Sequence, residues 1–261
     1  MKKGLVLITG ATSGIGEATA MRFAKEGWSL MLAGRRKEKL VKVGMAAKKK
    51  GSPQVVTLVM DVRDRLALTV LFESYQNMLS KVDVLVNNAG LARGLEKIYE
   101  GRVEEWEEMI DTNIKGLLYM TRLVLPAMVQ RQKGHIVNMG SITGHQVYAG
   151  GAVYAATKFA VKALSETMRL EVLGSGVRIT SIDPGMVKTE FSQVRFRGDA
   201  ERAKITYKDF DPLLPEDIAD AIWWSVSRPS RVNIQEMIIM PTDQASVTSL
   251  YRRPIQTTPR T

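Results

Sequence analysis

The sequence predicts one α/β domain, a doubly wound, mostly parallel, seven-stranded sheet flanked by helices. Short apolar runs alternate with helical patterns from residue 5 to residue 240, and this alternation is typical of parallel sheets covered on both faces. No repeat or low-complexity linker divides residues 1–261, so a single domain is expected. The glycine-rich and polar motifs follow the apolar runs, at the sheet edge where such folds bind ligands.

Composition and charge restrict the function classes. The chain has no cysteine and two histidines, His135 and His145, so we expect no disulfide framework, thiolate nucleophile or metal site. The net charge is +10, but the basic residues are spread along the chain, and nucleic-acid binding is not expected. The apolar run at residues 5–8 is too short for a signal peptide, and no run is long enough for a membrane span. We therefore expect a soluble cytoplasmic protein without a membrane partner.

The first predicted strand, residues 5–9, enters a glycine-rich turn and then a helical pattern over 17–25. Backbone N–H groups at such a junction are suited to binding a pyrophosphate. The spacing is G-x-x-x-G-x-G rather than G-x-G-x-x-G, and a tight turn alone also explains glycine. In this context the turn favours a dinucleotide site. Its candidate residues are Gly10, Thr12, Ser13, Gly14, Ile15 and Gly16.

The second predicted strand, residues 29–33, ends at Gly34-Arg35-Arg36. Proteins that bind NAD usually place an acidic residue here to hold the ribose 2′-hydroxyl. Glycine at this position followed by two guanidinium groups favours the 2′-phosphate of NADP, because an arginine fork matches a phosphate. Two exposed arginines opening the predicted helix 37–50 would also explain the pair, but not the absent acid. We therefore assign Arg35 and Arg36 as candidate NADP-binding residues.

The third and fourth predicted strands, residues 54–60 and 82–86, also end at candidate cofactor residues. The carboxylate of Asp61 is suited either to accepting from an adenine amine or to capping the predicted helix 63–79. Asparagine amides after the fourth strand can brace neighbouring strand ends, although asparagine-rich turns also occur without any function. The candidate cofactor residues at these two strand ends are Asp61, Val62, Asn88, Ala89 and Gly90.

A long helical pattern over residues 104–130 carries Asn113 among apolar residues that include Ile110, Ile114 and Leu117. A buried asparagine must find hydrogen-bond partners. Asn113 is either a satisfied core amide, or it bends the helix and holds a water beside Lys158. The sequence leaves both possibilities open.

The stretch from Ser141 to Lys158 places a hydroxyl, a phenol and an amine at a useful spacing. Ser141 follows a predicted fifth strand, residues 135–140. Tyr154 and Lys158 are four residues apart, so a helix over 154–173 presents them on one face. The pKa of a free tyrosine is about 10, and an ammonium beside the phenol lowers it, which makes tyrosine a general acid/base. For this pair taken alone, a helix that merely carries both residues is the simpler explanation.

The last third of the chain predicts strands at 177–182 and 236–240 and a helix at 215–227. The polar segment 190–212 interrupts the alternation, as a substrate loop would. The tail, residues 242–261, is polar, and we expect it to lie over a surface or a neighbouring subunit. The candidate cofactor residues after the sixth strand are Pro184, Gly185, Val187 and Thr189.

Taken in order, these motifs resemble the classical short-chain dehydrogenase/reductase superfamily over nearly the whole chain. The residues that carry the resemblance are Thr9-Gly10-x-x-x-Gly14-Ile15-Gly16, Asn87-Asn88-Ala89-Gly90, Asn113, Ser141, Tyr154-x-x-x-Lys158 and Pro184-Gly185. The resemblance implies a Rossmann-type fold and an enzyme that oxidises alcohols or reduces carbonyls with NAD(P)(H). Here the arginine pair specifies NADP.

The resemblance also implies roles for single residues. Tyr154 matches the catalytic acid/base, and Lys158 matches the residue that lowers its pKa and binds the nicotinamide ribose. Both are also candidate cofactor-binding residues. Ser141 matches the residue that hydrogen-bonds the substrate oxygen, and Asn113 the residue that supports a proton-relay water. The positions that match those holding the nicotinamide carboxamide are Val187 and Thr189.

Within the superfamily, longer stretches resemble the NADP-dependent 3-hydroxy acid dehydrogenases, a group that also oxidises serine and allo-threonine. These stretches are 61–64, 87–92, 154–161, 188–192 and 194–199. The resemblance implies a small hydroxy acid or β-hydroxy amino acid, such as 3-hydroxypropionate, as substrate. It also implies a homotetramer built on the helices that carry Asn113 and Tyr154. A substrate carboxylate needs a cation near the site, for which Arg195, Arg197 and Arg93 are candidates.

Two other functions stay open. A carbonyl reductase for bulkier ketones or sugars would use the same catalytic residues with a different pocket. A non-catalytic NADP-sensing protein would need only the glycine turn and the arginines. The presence of Ser141, Tyr154, Lys158 and Asn113 together argues against that second alternative.

Overall fold

The computed structural model describes residues 3–253. The last part of the predicted tail, residues 254–261, lies outside the described residues. Within residues 3–253 the chain forms a seven-stranded sheet in the order β3-β2-β1-β4-β5-β6-β7, and neighbouring strands pair in parallel. The strands are β1 (Leu5–Thr9), β2 (Ser29–Gly34), β3 (Val55–Val59), β4 (Val84–Asn87), β5 (Gly134–Met139), β6 (Val177–Pro184) and β7 (Glu236–Ile239). The predicted parallel α/β fold is confirmed.

Helices cover both faces of the sheet. They are α1 (Gly14–Lys25), α2 (Lys37–Lys50), α3 (Arg65–Leu79), α4 (Val103–Ile110), α5 (Leu117–Gln130), α6 (Ala152–Glu171), α7 (Phe191–Arg195), α8 (Ala200–Thr206) and α9 (Pro215–Val226). Helices α1, α2 and α9 pack on one face, and α3, α5 and α6 pack on the other. Among residues 3–253, none of these helices combines the length and hydropathy that a membrane span requires.

Side chains along each strand point alternately to the two faces of the sheet, which divides the core into two layers. On β1, Leu7 packs into the layer with α3, α5 and α6, whereas Val6 and Ile8 pack into the layer with α1, α2 and α9. Successive side chains of a strand point to opposite faces, so a strand buried on both faces reads as a continuous apolar run. This explains why the central strands are uniformly apolar in the sequence.

The strand order reverses between β1 and β4, which opens a crevice at their C-terminal ends. Two amides brace this edge, as the sequence predicts. Asn88 Nδ2 donates to the backbone oxygen of Thr9 at 2.9 Å. Asn87 Nδ2 donates to Asn138 Oδ1 on β5, also at 2.9 Å. The crevice is therefore held at a fixed width by side chains that the strands themselves carry.

The structure differs from the predicted elements in two segments. The helix predicted over 104–130 is interrupted by a π-helical turn at Asp111–Gly116, where the Asn113 side chain bonds to backbone outside the helix. A single wide turn of this kind often marks a functional site. The segment predicted as a loop over 190–212 forms α7 and α8, capped at α8 by Asp199.

Candidate active site

A cleft of about 1020 Å³ runs along the C-terminal ends of the strands. Every residue that the sequence analysis assigns to the site lines this cleft, apart from Gly16 and Asn113, which lie behind its wall. The cleft has a cofactor half, formed by the loops after β1 to β4, and a substrate half. The substrate half is formed by residues 140–154, by α7 and its flanks, and by tail residues 244–252.

The glycine-rich turn fits the phosphate groups of a dinucleotide. Gly10 and Gly14 have positive φ angles of 65° and 55°, which glycine adopts without strain. A Cβ atom on Gly16 would lie 2.4 Å from the Gly10 carbonyl oxygen, so only glycine lets α1 begin against the turn. Ser13 stands at the N-cap of α1, but its side chain does not cap the helix. The first N–H groups of α1 are therefore available to an anion, which the helix dipole also favours.

A side chain at the end of β2 would crowd the glycine-rich turn. A Cβ atom on Gly34 would lie 2.7 Å from Thr12 Cγ2, so any larger residue, including aspartate or glutamate, would require the Thr12 side chain to shift. Next to it, Arg36 donates to Thr12 Oγ1 at 2.8 Å and to Ser13 Oγ at 2.7 Å. Arg35 is half exposed. A ribose with a 2′-phosphate fits this cationic corner, because guanidinium groups bind phosphate in a forked geometry.

Asp61 lies in the cleft and does not cap a helix. Burial alone would raise the pKa of Asp61, but hydrogen bonds from the Arg63 side chain and backbone hold the pKa below its usual value. The N-cap of α3 is Asp64, whose carboxylate accepts from Ala67 N at 3.0 Å. The capping alternative for Asp61 is therefore wrong, and its contact with an adenine amine stays a prediction.

Three of the four candidate catalytic side chains, those of Ser141, Tyr154 and Lys158, meet in the substrate half. Tyr154 lies in the first turn of α6 and is 9% exposed. Lys158 Nζ lies 5.8 Å from the centroid of the Tyr154 ring and donates to the Met139 carbonyl at 2.7 Å. Ser141 follows β5, and its Oγ accepts from Thr143 N at 3.1 Å. The helical spacing of Tyr154 and Lys158 therefore places both beside the end of β5, as predicted.

The electrostatics of this group differ from the prediction. Burial raises the pKa of Tyr154, against the opposing effects of Arg195 and of the Ser141 and Thr143 hydroxyls. Burial also lowers the pKa of Lys158 to about 8, partly offset by Asp183. The expected lowering of the Tyr154 pKa by Lys158 is thus not found, because desolvation of the phenol outweighs the nearby cations. Tyr154 is therefore protonated at neutral pH and has a proton to donate.

Asn113 is buried behind the cleft, and its side chain is fully engaged. Nδ2 donates to the Leu91 carbonyl at 2.8 Å and to Thr157 Oγ1 at 3.0 Å, while Oδ1 accepts from Leu91 N at 2.9 Å. The Asn113 amide is satisfied by hydrogen bonds, and the helix around it is distorted. The core-amide role and the helix-bending role raised by the sequence therefore do not exclude each other. Support of a relay water by Asn113 stays a prediction.

The three candidate arginines for a substrate anion have different environments. Arg93 pairs with Glu108 at 2.7 Å, and Arg197 pairs with Glu105 at 2.7 Å. Arg195 makes no carboxylate pair within residues 3–253. Its guanidinium hydrogen-bonds the Tyr148 hydroxyl and lies 5.3 Å from the centroid of the Tyr154 ring.

Among the cleft residues that sequence reasoning missed are Lys39, Tyr148, Glu190 and Gln244. Lys39 lies three residues after Arg36 at the start of a helical pattern, and this spacing would have identified it. The other three have no sequence signal, because each reaches the cleft through a contact with a distant segment. Gln244 Oε1, for example, accepts from Met186 N at 2.8 Å.

A cluster of His145, Asp183 and Glu236 lies behind Ser141 with a spacing that resembles a metal site. Lys162 Nζ, which can only donate, lies 3.1 Å from His145 Nδ1. His145 Nε2 lies 2.7 Å from Asp183 Oδ2 and 3.6 Å from Glu236 Oε1. These contacts tie the segment after Ser141 to β6 and β7.

Known proteins share this fold and this order of motifs. Residues 4–200 match the family model for short chain dehydrogenases. The NADP-dependent 3-hydroxy acid dehydrogenase YdfG of Salmonella typhi is 49% identical over 242 residues, which cover 92% of this chain and 96% of that protein. Sulfoacetaldehyde reductase 2 of Chromohalobacter salexigens is 43% identical over 92% of this chain and 95% of that protein.

The structural comparison agrees with the sequence comparison. The closed form of serine dehydrogenase complexed with NADP+ superposes with a TM-score of 0.88 and 44% identity, over 96% of this chain and 100% of that chain. The family model and these relatives span most of the chain, including the glycine turn and the Ser141, Tyr154 and Lys158 cluster. The chain therefore belongs to the short chain dehydrogenase family.

Proposed function

We propose that this NADP-dependent oxidoreductase transfers a hydride between NADP and the carbon bearing the 3-hydroxyl of a small hydroxy acid or β-hydroxy amino acid. Serine, allo-threonine and 3-hydroxypropionate are substrates of this type. The observation that carries the proposal is Arg195, a cation beside Tyr154 that makes no carboxylate pair within the described residues. The names of two relatives, a 3-hydroxy acid dehydrogenase and a serine dehydrogenase, support the same substrate class.

Arg195 is suited to holding the substrate carboxylate. Its Nε is buried and lacks a hydrogen-bond partner within residues 3–253, and an unsatisfied buried donor costs about 1–3 kcal/mol. Once the Arg195 side chain turns this donor toward the cleft, a carboxylate would satisfy it, because a guanidinium donates to both oxygens of a carboxylate in a forked geometry. The carboxylate of a 3-hydroxy acid is only a few bonds from its hydroxyl. A substrate held by Arg195 would therefore present that hydroxyl to Tyr154.

Around such a substrate, the chain supplies orientation and one proton. When bound, the nicotinamide supplies or accepts the hydride. Tyr154 would donate its phenol proton to the carbonyl oxygen in reduction and accept it in oxidation. Ser141 would hydrogen-bond the reacting oxygen, and Lys158 would add positive charge next to the phenol and hold the nicotinamide ribose.

The cofactor residues follow from the cofactor half of the cleft. The first N–H groups of α1 would bind the pyrophosphate, and Arg35 and Arg36 would bind the 2′-phosphate. The nicotinamide half of the cofactor would lie between the loops after β4 and β6. The residues that these two loops contribute are Asn88, Ala89, Gly90, Pro184, Gly185, Val187 and Thr189.

The substrate assignment is tested by comparing Arg195→Met with Arg197→Met as a matched control. Rates are measured with 3-hydroxypropionate and with neutral 1,3-propanediol at saturating NADP. Hydrogen bonds to charged groups contribute about 1.5–3 kcal/mol, so Arg195→Met should raise KM for the acid about 10- to 100-fold and leave the diol unaffected. Arg197→Met should change neither. Equal effects on acid and diol would contradict the proposal.

A second candidate substrate class has a sulfonate in place of the carboxylate. Sulfoacetaldehyde reductase 2 is 43% identical to this chain, and a guanidinium binds either anion. Measuring rates with sulfoacetaldehyde and with an aryl ketone, in addition to the acid and the diol, separates the carboxylate, sulfonate and bulky-ketone substrate classes. Preference for the sulfonate would keep Arg195 as the anion site and change the substrate. Preference for the aryl ketone would favour the carbonyl reductase for bulkier ketones.

We also propose a homotetramer assembled through the long helices. Leu118 on α5 and Phe159 and Leu170 on α6 are apolar and exposed by 37%, 42% and 75%. Apolar side chains gathered on neighbouring helices favour burial between subunits. Light scattering on the purified protein should give the mass of four chains, and the mass of one chain would contradict the proposal.

A further inference from the structure

We propose that Glu190 is an internal anion that competes with the 2′-phosphate of NADP for Arg36 and Lys39, and thereby links cofactor recognition to the segment beside Tyr154. We call residues 190–206, which contain α7 and α8, the lid. The inference rests on one part of the proposed function, the placement of the 2′-phosphate at Arg35 and Arg36. It does not depend on the identity of the substrate.

Glu190 bridges the lid to the cofactor half of the cleft. Its Oε2 lies 2.7 Å from Arg36 Nη1, and its Oε1 lies 2.6 Å from Lys39 Nζ. Hydrogen bonds from Lys39 and Arg36 hold the pKa of Glu190 at about 2. The carboxylate is therefore ionised at neutral pH and occupies both cations.

The guanidinium of Arg36 is already engaged on three sides. Nε and Nη2 donate to Thr12 Oγ1, Nη2 also donates to Ser13 Oγ, and Nη1 donates to Glu190. A phosphate that binds Arg36 would lie against the Glu190 carboxylate, and like charges at contact distance repel. Accommodation of the phosphate therefore requires Glu190 to move away from Arg36.

The charges and exposures favour the phosphate in this competition. The Arg36, Lys39 and Glu190 side chains are 42%, 46% and 37% exposed, and ion pairs with such exposure are weak. A phosphate monoester carries nearly two negative charges at neutral pH and offers three acceptor oxygens. NAD has only a 2′-hydroxyl and cannot displace the carboxylate in this way. Release of Glu190 from Arg36 and Lys39 is the first step of lid movement, and it thus requires the 2′-phosphate of NADP.

Movement of Glu190 would be transmitted directly to the substrate half. Glu190 is the N-cap residue of α7. The same short helix carries Phe191, whose ring centroid lies 5.7 Å from that of Tyr154, and it ends at Arg195. A shift at the start of α7 therefore changes the position of the side chains that line the substrate.

The experiment compares Glu190→Gln with Glu201→Gln as a matched control. Glu201 lies on α8 of the same lid and pairs with Lys204, so the control also removes one carboxylate. Dissociation constants for NADP, NAD and adenosine 2′,5′-bisphosphate are measured by calorimetry on the full chain. By the usual strength of exposed ion pairs, Glu190→Gln should tighten NADP and the bisphosphate about threefold to tenfold and leave NAD unchanged. Glu201→Gln should change none of the three constants. High salt should reduce the difference, because exposed charges are screened.

Weaker or equal binding of NADP by Glu190→Gln would overturn the proposal, since it would mean that Glu190 closes over the bound cofactor or does not interact with it. Equal tightening of NAD would also overturn it. Arg36→Met separates this outcome from failure of the phosphate placement. If Arg36→Met does not selectively weaken NADP, the placement itself is wrong. If it does and Glu190→Gln has no effect, only the competition is wrong.

Hydrogen–deuterium exchange tests the link to the lid. In the wild type, adenosine 2′,5′-bisphosphate should speed exchange of the α7 amides, because the contact that holds the start of this helix is released. In Glu190→Gln these amides should exchange fast without any ligand. Unchanged exchange in the wild type on addition of the bisphosphate would overturn the coupling.

Discussion

The two halves of the cleft are built in different ways. In the cofactor half, backbone groups and short side chains are placed by the ends of β1 to β4, and Arg36 and Lys39 are already paired with Glu190. In the substrate half, side chains arrive from segments far apart in the chain, and Arg195 makes no carboxylate pair within residues 3–253. Arg36 and Lys39 can exchange the Glu190 carboxylate for another anion, whereas Arg195 has no carboxylate partner among the described residues and gains one only when an anion binds.

This difference explains how one fold binds a common cofactor and a particular substrate. The cofactor half depends on the parallel sheet, whose residues Leu7, Ile8 and Leu85 are fully buried. Glycine residues in its turns allow close approach of a phosphate. The substrate half depends on α7, α8 and tail residues such as Gln244. Side-chain contacts join this half to the segment after β6 and to α4. Apart from Glu190, which contacts Arg36 and Lys39, changes in the substrate half should therefore alter substrate selection and leave cofactor binding unchanged.

The largest expected effect is that of Tyr154→Phe, which removes the proton donor and little else. General acid–base catalysis typically contributes about 10²–10⁴-fold, so kcat should fall by that factor. The dissociation constant for NADP should change far less than kcat, because the buried aromatic ring stays in place and only one hydroxyl is removed. Rates and calorimetry on the same preparation measure both quantities. A comparable loss of NADP affinity would break the separation between the two halves.

Gly34→Asp tests the cofactor half. A Cβ atom at this position would lie 2.7 Å from Thr12 Cγ2, and the new carboxylate would repel a 2′-phosphate at Arg35 and Arg36. Partly screened repulsion of this kind should weaken NADP about 10- to 100-fold. Gly34→Ala, which has the steric clash without the charge, should show a smaller loss. Unchanged NADP binding in the aspartate variant would exclude Arg35 and Arg36 as the phosphate site.

Tyr148→Phe tests how the substrate half positions its cation. Arg195 hydrogen-bonds the Tyr148 hydroxyl, and one hydrogen bond contributes about 0.5–1.5 kcal/mol, so KM for the acid should rise about 2- to 10-fold. Affinity for NADP should not change. Tyr99→Phe, at an exposed residue outside the cleft, is the control and should have no effect. A rise in KM for the neutral diol equal to that for the acid would contradict this role.

The smallest expected effect is on the pH profile. Arg195 lowers the pKa of Tyr154, although burial raises it more. Oxidation needs the deprotonated phenol, so kcat/KM for the alcohol substrate rises with pH until Tyr154 is ionised. This rise is the rising limb of the pH profile. Removing the cation in Arg195→Met raises the pKa further and should move this limb to higher pH by less than about one unit. Arg197→Met should leave the limb in place, and a limb that does not move in Arg195→Met would show that Arg195 does not act on Tyr154.

Much of the cofactor half could be predicted from the sequence, because its residues lie next to strands. The predicted strand 5–9 coincides with β1, and the predicted strand 29–33 ends one residue before β2 does. Glycine at 10, 14 and 16 and the Arg35-Arg36 pair follow directly from these strand ends. Local spacing is sufficient to locate a candidate site whose binding groups belong to the backbone next to strand ends.

The substrate half could not be predicted in the same way. Three arginines were equivalent in the sequence, and only the partners Glu108 and Glu105 distinguish Arg195 from the other two. The π-helical turn at Asn113 depends on its bonds to Leu91 across the cleft wall. The direction of the Tyr154 pKa shift depends on burial among residues from distant segments, such as Leu91, Met109 and Phe191, which no local pattern encodes.

The central claim is that separate cations recognise the cofactor phosphate and the substrate anion. The most direct test measures kcat/KM for NADP and for NAD, each with 3-hydroxypropionate and with 1,3-propanediol, on the wild type, Arg35→Ala and Arg195→Met. Arg35→Ala should lower the preference for NADP over NAD and leave the preference for acid over diol intact. Arg195→Met should lower the preference for acid over diol and leave the preference for NADP over NAD intact. A variant that lowers both preferences together, or a wild type without preference for the acid, would contradict the account.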